Sequence, residues 1–405
     1  MNKTKPFSIS TKIVGDAYKR VKVNKGAAGV DAVSLEDFEK NLENNLYKIW
    51  NRMSSGSYFP PPVRAVEIDK DETRKRKLGI PTVADRIAQM VGKIYLEPSI
   101  EPHFHSDSYG YRPGKSAIQA VGKARERCWR NNWVLDLDIK GFFDNLDHEI
   151  TMMLVRKHTD CQWITLYIER WLKAPAQLED GTLYQRTKGT PQGGVISPLL
   201  ANLYLHYAFD EWMQNNYSTI PFERYADDII VHCRSEKQAL WIKTQIKERL
   251  AEFKLELHPK KTKIVYCKDG KRKGNYENEK FDFLGFEFRP REVKNKYGKY
   301  FLGFNPAVSK TAIKGMYQKI RDWRLHRQTR STLEEIVRNI NPIVLGWINY
   351  YGSYCRSALH PILNHIDWKL VKWAIRKYKR MKGSQRRATK WLNRIKRKEP
   401  NLFVC

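Results

Sequence analysis

Two adjacent aspartates, Asp227 and Asp228, interrupt an apolar segment that reads FERYADDIIV at residues 222–231. The apolar and aromatic neighbours are typical of a strand, in which carboxylates are depleted. Because two neighbouring carboxylates repel each other, we expect a positive charge beside them, either a divalent cation or an arginine such as Arg224. The segment therefore predicts a hairpin that presents two acidic side chains for chemistry.

A second acidic segment, VLDLDIKGFFDNLDH, lies upstream at residues 134–148. Asp138 follows an alternation of apolar and polar residues that predicts a half-buried strand. If strand ends bring Asp138 opposite the aspartate pair, three carboxylates could hold two Mg²⁺ ions roughly 3.5–4 Å apart, which would activate a hydroxyl and stabilise a leaving pyrophosphate. The alternative is that these aspartates are turn residues or helix caps, as Asp147 is expected to be.

The elements around these segments predict a mixed α+β part followed by a helical part. Residues 71–77, which read DETRKRK, predict a basic turn after a strand. The segments KFDFLGFEFRP at 280–290 and GKYFLGFNP at 298–306 predict paired strands. From about Lys310 the pattern is helical. The boundary between the two parts is therefore expected near residue 305.

The net charge indicates a polyanionic partner. The 405 residues include 74 Lys and Arg against 44 Asp and Glu, a formal net charge of +30. Residues 301–405 hold 23 basic and 5 acidic residues, and between Lys369 and Lys398 there are 14 basic residues and no acidic one. Such a surplus favours nucleic acid over a membrane surface, and the alternative is a solvated charged face. Four aromatics interleave with this run, and we expect some of them to stack on bases or sugars and others to belong to the core: Trp368, Trp373, Tyr378 and Trp391.

Cysteine usage and hydropathy exclude several classes of protein. The six cysteines form no C-x-x-C pair, so neither a zinc site nor a disulfide framework is expected. The N-terminus has no apolar leader, and no apolar run reaches the length of a spanning helix. We therefore expect a cytoplasmic protein with no membrane partner.

Further motifs carry a family resemblance. Four segments resemble the motifs of reverse transcriptases in order and spacing. They are the Asp138 segment, GTPQGGVISPLLANLYLH at 189–206, YADD at 225–228 and LELHPKKTKI at 255–264. Four more segments make the resemblance specific to the group II intron reverse transcriptase/maturase family. They are NKGAAGVD, KLGIPTVADRIAQM, SYGYRPGKSAIQAV and GWINYYG. The resemblance runs from about residue 20 to 400, nearly the whole chain.

The resemblance implies an α+β right-hand polymerase, in which fingers and a palm with an antiparallel sheet are followed by an α-helical thumb/maturase domain. No H-N-H or C-x-x-C cluster follows residue 355, so no endonuclease domain is expected. The implied divisions are an N-terminal extension of the fingers at 1–62, fingers at 63–130, palm with fingers insertions at 131–290, a connection at 291–304 and the thumb/maturase (X) domain at 305–405.

Matching the family motifs residue by residue also implies a catalytic site. The catalytic, metal-binding residues would be Asp138, Asp227 and Asp228, with the Ile139 carbonyl as a further ligand, for two Mg²⁺ ions that Mn²⁺ could replace. Phe143 would lie under the incoming sugar and exclude a 2′-hydroxyl, unless it is simply a core residue.

The resemblance implies roles for other residues around the substrates. Arg112 would support the fingers, or is an ordinary surface arginine. Lys261, with Lys263 as a rival, would protonate the pyrophosphate. The remaining nucleotide-binding residues would be Lys70, Arg76 and Gln192, and the primer- and template-binding residues Gly193, Gly194, Phe283, Leu284 and Gly285. The basic run adds candidate RNA-binding residues: Lys377, Lys379, Arg380, Lys382, Arg386 and Arg387.

The implied function is an RNA-directed DNA polymerase of a mobile group II intron that also binds the intron RNA and assists its splicing. Expected partners are intron RNA in a ribonucleoprotein, an RNA template with a DNA primer, dNTPs and target DNA, in a nucleoid-associated bacterial protein. One alternative is a splicing-only maturase without polymerase activity. The presence of all three aspartates, Asp138, Asp227 and Asp228, argues against it. The other is a related reverse transcriptase adopted for defence, repair or a retron-like role, whereas NKGAAGVD and the long basic helical part favour the intron type.

Overall fold

The computed structural model describes residues 5–69, 75–294 and 297–403. Its strands are β1 Val63–Asp69, β2 Lys75–Ile80, β3 Trp133–Asp138, β4 Ala176–Gln177, β5 Leu183–Tyr184, β6 Phe222–Tyr225, β7 Asp228–Cys233, β8 Lys263–Tyr266, β9 Phe281–Phe283, β10 Phe286–Lys294 and β11 Tyr300–Val308. Its α-helices are α1 Thr11–Val23, α2 Leu35–Glu39, α3 Leu42–Ser54, α4 Val83–Ile100, α5 Ala117–Arg130, α6 Phe142–Asn145, α7 His148–His158, α8 Gln162–Lys173, α9 Ser197–Leu205, α10 Glu211–Asn216, α11 Glu236–Glu252, α12 Lys310–Asp322, α13 Leu333–Cys355, α14 His360–Lys377 and α15 Gln385–Lys398.

The described residues fall into two compact units. This division differs from the five domains that the family resemblance implies, and the boundaries of those domains stay a prediction. The first unit comprises the described parts of Met1–Ser116, Leu135–Val231 and Lys237–Lys263. The second unit comprises Ala117–Val134, His232–Glu236 and the described parts of Ile264–Cys405.

In the first unit, one sheet has the strand order β2-β1-β4-β5. β1 and β2 are antiparallel, from Arg64 opposite Ile80 to Asp69 opposite Lys75. The sequence predicts a basic turn over 71–77, but residues 75–77 belong to β2. Pairing explains the difference, because Lys77 lies opposite Glu67 and opposite charges on facing positions favour the ladder.

The other strands of the first unit follow the order β6-β7-β3. β6 and β7 form the predicted hairpin, in which Tyr225 pairs with Asp228 across a two-residue turn. Ala226 occupies that turn with a φ of 55°, the left-handed region that tight hairpins require. The turn therefore places Asp227 and Asp228 at one end of the sheet, and the sequence-predicted strand before Asp138 is confirmed as β3.

The helices of the first unit pack against one another, as α7 does against α9. Asp147 caps α7 as predicted, since its side chain accepts a hydrogen bond from the Ile150 N–H at 3.0 Å. Every residue of α9 except Pro198 is buried, which explains why its sequence is mostly apolar around the helix. A π-helical segment, His206–Asp210, joins α9 to α10.

In the second unit, β9, β10 and β11 form an antiparallel sheet, and the predicted pairing is confirmed from Phe286 opposite Val308 to Lys294 opposite Tyr300. β11 continues to Val308, and the helical part begins where Ser309 caps α12. Beyond this point the described residues form helices and no strand.

The helices of the second unit enclose their own apolar core, which extends from Val308 to Leu392 along the chain. Trp373, one of the four aromatics that interleave with the basic run, is fully buried in it and donates its Nε1–H to the Gln328 carbonyl at 2.8 Å. Tyr378 and Trp391 pack partly buried against the same core. Trp373 is therefore one of the aromatics that belong to the core and do not stack on bases, because its ring is enclosed by the helices of the second unit.

Candidate active site

The sequence-predicted carboxylates line one cavity of the first unit, with a volume of about 950 Å³. Asp138 is the last residue of β3, Asp228 is the first of β7, and Asp227 lies in the turn before β7. Because the hairpin and β3 are neighbours in the sheet, residues 89 positions apart in sequence (227 − 138) reach the same cavity. Other residues that line it include Ile139, Phe143, Gln192 and Lys261.

Asp138 forms an ion pair with the predicted lysine. The Lys261 Nζ lies 2.8 Å from Asp138 Oδ2, and both side chains are about one-third exposed. The strand end is fixed by its backbone, because the His258 N–H donates to the Asp138 carbonyl at 2.7 Å and Ile139 pairs with Leu257. Of the two rival lysines, it is Lys261 that lines the cavity.

The expectation that Arg224 would offset the aspartate pair is wrong. Arg224 is fully buried, and its Nε donates to Asp210 Oδ1 at 2.7 Å while its Nη2 donates to Asp210 Oδ2 at 2.5 Å. Arg224 alternates with Tyr225 along β6, and this alternation directs its side chain into the protein interior. Its charge therefore compensates a buried carboxylate on the neighbouring helical segment.

Arg224 nevertheless contacts the hairpin through its remaining N–H groups. Its Nη1 donates to the Ala226 carbonyl at 3.2 Å and to Asn202 Oδ1 at 2.9 Å. The Asn202 Nδ2 in turn donates to the Gly110 carbonyl at 2.6 Å. A fully buried network thus ties the turn that carries Asp227 to α9 and to the segment around Gly110.

The π-helical segment explains how Asn202 and Asp210 reach the same arginine. Eight residues of regular α-helix turn through about 800°, which leaves positions 202 and 210 about 80° apart. The wider turn at His206–Asp210 reduces this angle and returns both side chains to one face.

The loop that carries Gln192 packs against β2. The Gly79 N–H donates to the Gln192 carbonyl at 3.0 Å. Gly193 has a φ of 128°, and a Cβ on it would lie 2.6 Å from the Gly79 carbonyl oxygen. Only glycine fits this conformation and this approach, so Gly193 allows the loop to place Gln192 at the cavity.

Sequence reasoning missed the buried group that supports this loop. Asp85 accepts hydrogen bonds from the Tyr58 hydroxyl, the Trp171 Nε1 and the Gln89 Nε2 at 2.8–2.9 Å. The Gln89 Oε1 accepts from the Val195 N–H at 2.8 Å. Burial raises the pKa of Asp85 to about 6, and the three hydrogen bonds oppose that rise.

The signal that could have identified this support is the segment KLGIPTVADRIAQM. Asp85 and Gln89 are four residues apart in it, and positions four apart share one face of a helix. Two polar residues on one face of a helix, surrounded in sequence by apolar residues, indicate buried hydrogen bonding.

Phe143 is buried and also lines the cavity. Its ring packs edge-to-face on Phe142 at 5.4 Å between centroids, and its carbonyl accepts from the Thr190 N–H at 2.8 Å. The two expectations for this residue, a core position and a cavity position, are therefore compatible in the structure.

Three predicted residues of the fingers have different outcomes. Lys70 and the side chain of Arg76 lie outside the described part of the chain. Arg112 is not an ordinary surface arginine, because it pairs with Glu101 at 2.8 Å and its Nη1 donates to the carbonyls of His105 and Ser108. It fixes the segment that follows α4.

The predicted primer-binding residues Phe283, Leu284 and Gly285 lie in the second unit, at the end of β9 and in the turn that follows it. Leu284 and Gly285 have φ values of 51° and 79°, as a tight two-residue hairpin requires. The Tyr350 hydroxyl donates to the Leu284 carbonyl at 2.9 Å. Phe283 is buried beneath the turn.

The predicted RNA-binding residues are exposed with one exception. Lys377 is half-buried, and its Nζ donates to the Ser331 carbonyl at 2.6 Å. That bond occupies Lys377 within the helical core, so it is the weakest member of the predicted set. The exposed members are Lys379, Arg380, Lys382, Arg386 and Arg387.

The described residues hold no group of three or more His, Cys, Asp or Glu side chains arranged to hold a metal ion. Asp138, Asp227 and Asp228 nevertheless offer carboxylate oxygens, the ligands that Mg²⁺ prefers, to one cavity. The donor chemistry therefore fits a divalent cation, whereas the ammonium of Lys261 holds Asp138 in this structure.

No helix in the described part of the chain is long and apolar enough to span a bilayer.

Comparison with known protein families gives two matches. The family described as reverse transcriptase (RNA-dependent DNA polymerase) matches residues 68–288. The family described as group II intron, maturase-specific domain matches residues 313–392.

Two similar proteins match most of the chain, and a third matches about half of it. The group II intron-encoded protein LtrA of Lactococcus lactis subsp. cremoris is 28% identical over 428 residues, which cover 83% of this chain and 68% of LtrA. Protein YkfC of Escherichia coli strain K12 is 33% identical over 315 residues, which cover 68% of this chain and 79% of YkfC. The nuclear intron maturase 4 of Arabidopsis thaliana mitochondria is 26% identical over 191 residues, 47% of this chain and 23% of that protein.

Proposed function

Since the chain belongs to the reverse transcriptase family and is an RNA-directed DNA polymerase of the group II intron type, we propose that the cavity of its first unit is the polymerase site. The observation that carries this proposal is that Asp138, Asp227 and Asp228 line one cavity together with Gln192 and Phe143. The test is extension of a DNA primer on an RNA template with Mg²⁺, which must stop when the metal is chelated.

In this proposal Asp138, Asp227 and Asp228 hold two Mg²⁺ ions, with the Ile139 carbonyl as a further ligand and Mn²⁺ as a substitute. The bound ions supply the positive charge that nucleotidyl transfer requires. The chain contributes the geometry, because the Arg224 network fixes the hairpin and the backbone of residues 138–139 is paired with 257–258.

The residues around the carboxylates would orient the substrates. Lys261 would give a proton to the leaving pyrophosphate, since its ammonium is already in the cavity. Gln192, with Gly193 and Gly194, would form the floor beneath the templating base and the nucleotide. Lys70 and Arg76 remain proposed ligands of the triphosphate on the resemblance alone, and Phe283, Leu284 and Gly285 would hold the primer.

Phe143→Ala is expected to raise the efficiency of ribonucleotide incorporation relative to deoxynucleotide incorporation by about tenfold or more. Removing the ring opens space at the cavity wall for a 2′-hydroxyl, and a steric exclusion of a few kcal/mol is lost. The measurement is the ratio of kcat/KM values for matched ribo- and deoxynucleotides. Phe142→Ala, which removes the neighbouring ring, is the control for loss of packing.

An unchanged ratio in a folded Phe143→Ala protein would assign Phe143 to the core alone. An equal change in Phe142→Ala would show that local loosening, and not the position of the Phe143 ring, controls sugar choice.

We further propose that the second unit binds intron RNA and thereby assists splicing. The match of the group II intron maturase-specific domain to residues 313–392 supports this role. The exposed basic residues lie within that match, and structured RNA presents many phosphates at once. Template RNA with its primer, dNTPs and target DNA would be the remaining partners.

Neutralising Lys379, Arg380 and Lys382 to Gln is expected to weaken binding of intron RNA and to impair protein-assisted splicing. Each lost phosphate contact should reduce the slope of log affinity against log salt by roughly one unit. Extension of a short primer–template should change little. The measurements are a salt titration of RNA binding and the splicing rate of the intron.

The matched control neutralises three lysines of the first unit, Lys173, Lys237 and Lys247, which removes the same net charge. Equal loss of splicing and extension in the test variant would show one shared surface. Splicing at the parental rate would show that the basic run is only a solvated face.

A further inference from the structure

One wall of the polymerase cavity carries a guanidinium without a hydrogen-bonding partner for its Nε. Arg186 lines the cavity, and its Nε is buried with no partner among the described residues. Burial lowers the pKa of Arg186, while the charges of Asp144 and Tyr184 oppose that shift. A partly buried, incompletely paired charge is costly, so a bound anion would relieve it.

Arg186 lies beside β2 and close to the loop that carries Gln192. Its Nη2 lies 3.4 Å from the position that a Cβ on Gly79 would take. Gly79 belongs to β2 and bonds the carbonyl of Gln192. Lys77 is two residues earlier on β2, so strand alternation directs it to the same face, and it also lines the cavity.

The other cations of the cavity have protein partners. Lys261 pairs with Asp138 at 2.8 Å, and the Lys188 Nζ donates to Asn145 Oδ1 at 2.9 Å. Within the described part of the chain, no ion pair is found for Arg186 or Lys77. The cavity thus combines carboxylates at the strand ends with a basic wall that has capacity for an anion.

We propose that Arg186, assisted by Lys77, binds a phosphate group of the substrates that enter this cavity. The proposal rests on the polymerase function proposed for the cavity. A guanidinium can hold two phosphate oxygens at once, and the ammonium of Lys77 adds charge without a fixed direction. The phosphate has two possible sources, the triphosphate of the incoming nucleotide and the backbone of the template strand.

Arg186→Gln is expected to weaken binding of one of these ligands by about tenfold, the loss of one charge-assisted contact. Binding is measured at equilibrium, first for template–primer without nucleotide, and then for dNTP on a complex whose primer ends in a 3′-deoxynucleotide. No bond forms in either assay. The readout therefore survives even if the polymerase function proposed for the cavity is wrong.

The two assays identify the phosphate. Weaker dNTP binding alone assigns Arg186 to the triphosphate, and weaker template–primer binding alone assigns it to the template backbone. Arg186→Lys keeps the charge and should retain part of the affinity, and Lys77→Gln should lose less than Arg186→Gln. Lys173→Gln, which removes a charge outside the cavity, is the control and should bind both ligands like the parental protein.

Two results overturn the proposal. The first is a folded Arg186→Gln protein that binds both ligands with parental affinity. The second is an Arg186→Gln protein that does not fold, together with an Arg186→Lys protein that folds and binds both ligands fully, since Arg186 would then serve only the fold.

Discussion

Asp227→Asn is expected to reduce RNA-templated DNA synthesis about a thousand-fold or more. The substitution keeps the size of the side chain and removes the charge through which a metal ion would be held, and several kcal/mol of transition-state stabilisation depend on that charge. The measurement is the single-turnover rate of primer extension with saturating Mg²⁺. Affinity for template RNA should remain within about twofold, because no phosphate contact is lost.

Asp160→Asn is the matched control, because Asp160 is exposed between α7 and α8 and does not line the cavity. It should extend primers at the parental rate. Extension at the parental rate by Asp227→Asn would show that the cavity is not the polymerase site. Loss of RNA affinity together with extension would show a damaged fold in place of a missing metal ligand.

Asp210→Asn is expected to lower the free energy of unfolding by about 3–5 kcal/mol. Asp210 and Arg224 are both fully buried, and removing the carboxylate leaves the guanidinium charged without its counter-ion. Asp16→Asn is the control, because Asp16 forms an exposed ion pair with Lys19 and such pairs contribute at most about 1 kcal/mol. The measurement is the urea midpoint of each variant.

A double substitution separates charge from packing. Asp210→Leu combined with Arg224→Met removes both charges and should be less destabilising than Asp210→Asn alone. A loss below about 1 kcal/mol in Asp210→Asn would show that water or another group satisfies Arg224. A double variant less stable than the single one would show that the hydrogen bonds to Asn202 and Ala226 dominate the effect.

The sequence predicted the parts of the site that depend on local pattern. The β6–β7 hairpin follows from apolar residues that flank Asp227 and Asp228, and β3 follows from the alternation before Asp138. The cap at Asp147 and the strands β10 and β11 are equally local, since each depends on neighbouring residues within its own segment. Because these features depend on local sequence, they could be predicted, and the structure confirms them.

Contacts between distant segments could not be predicted in the same way. Arg224 is two positions from Ala226 and bonds its carbonyl, yet its charge partner is Asp210 on another element. Trp373 lies in a run of basic residues and is nevertheless the centre of a core, because only the packing of the helices decides which face is buried. Gln89 supports Val195 across 106 positions of sequence, and no periodic pattern encodes such a bond.

The π-helical segment His206–Asp210 has a consequence for changes in chain length. A deletion of Ala208 would place Asn202 and Asp210 seven positions apart, and seven residues complete almost two turns of regular α-helix. The side chains of Asn202 and Asp210, which accept hydrogen bonds from Arg224, would then still lie on one face of the helix. The wide turn would become regular α-helix. Loss of one residue from this segment should therefore keep both side chains within reach of Arg224 and preserve the support of the hairpin that carries Asp227.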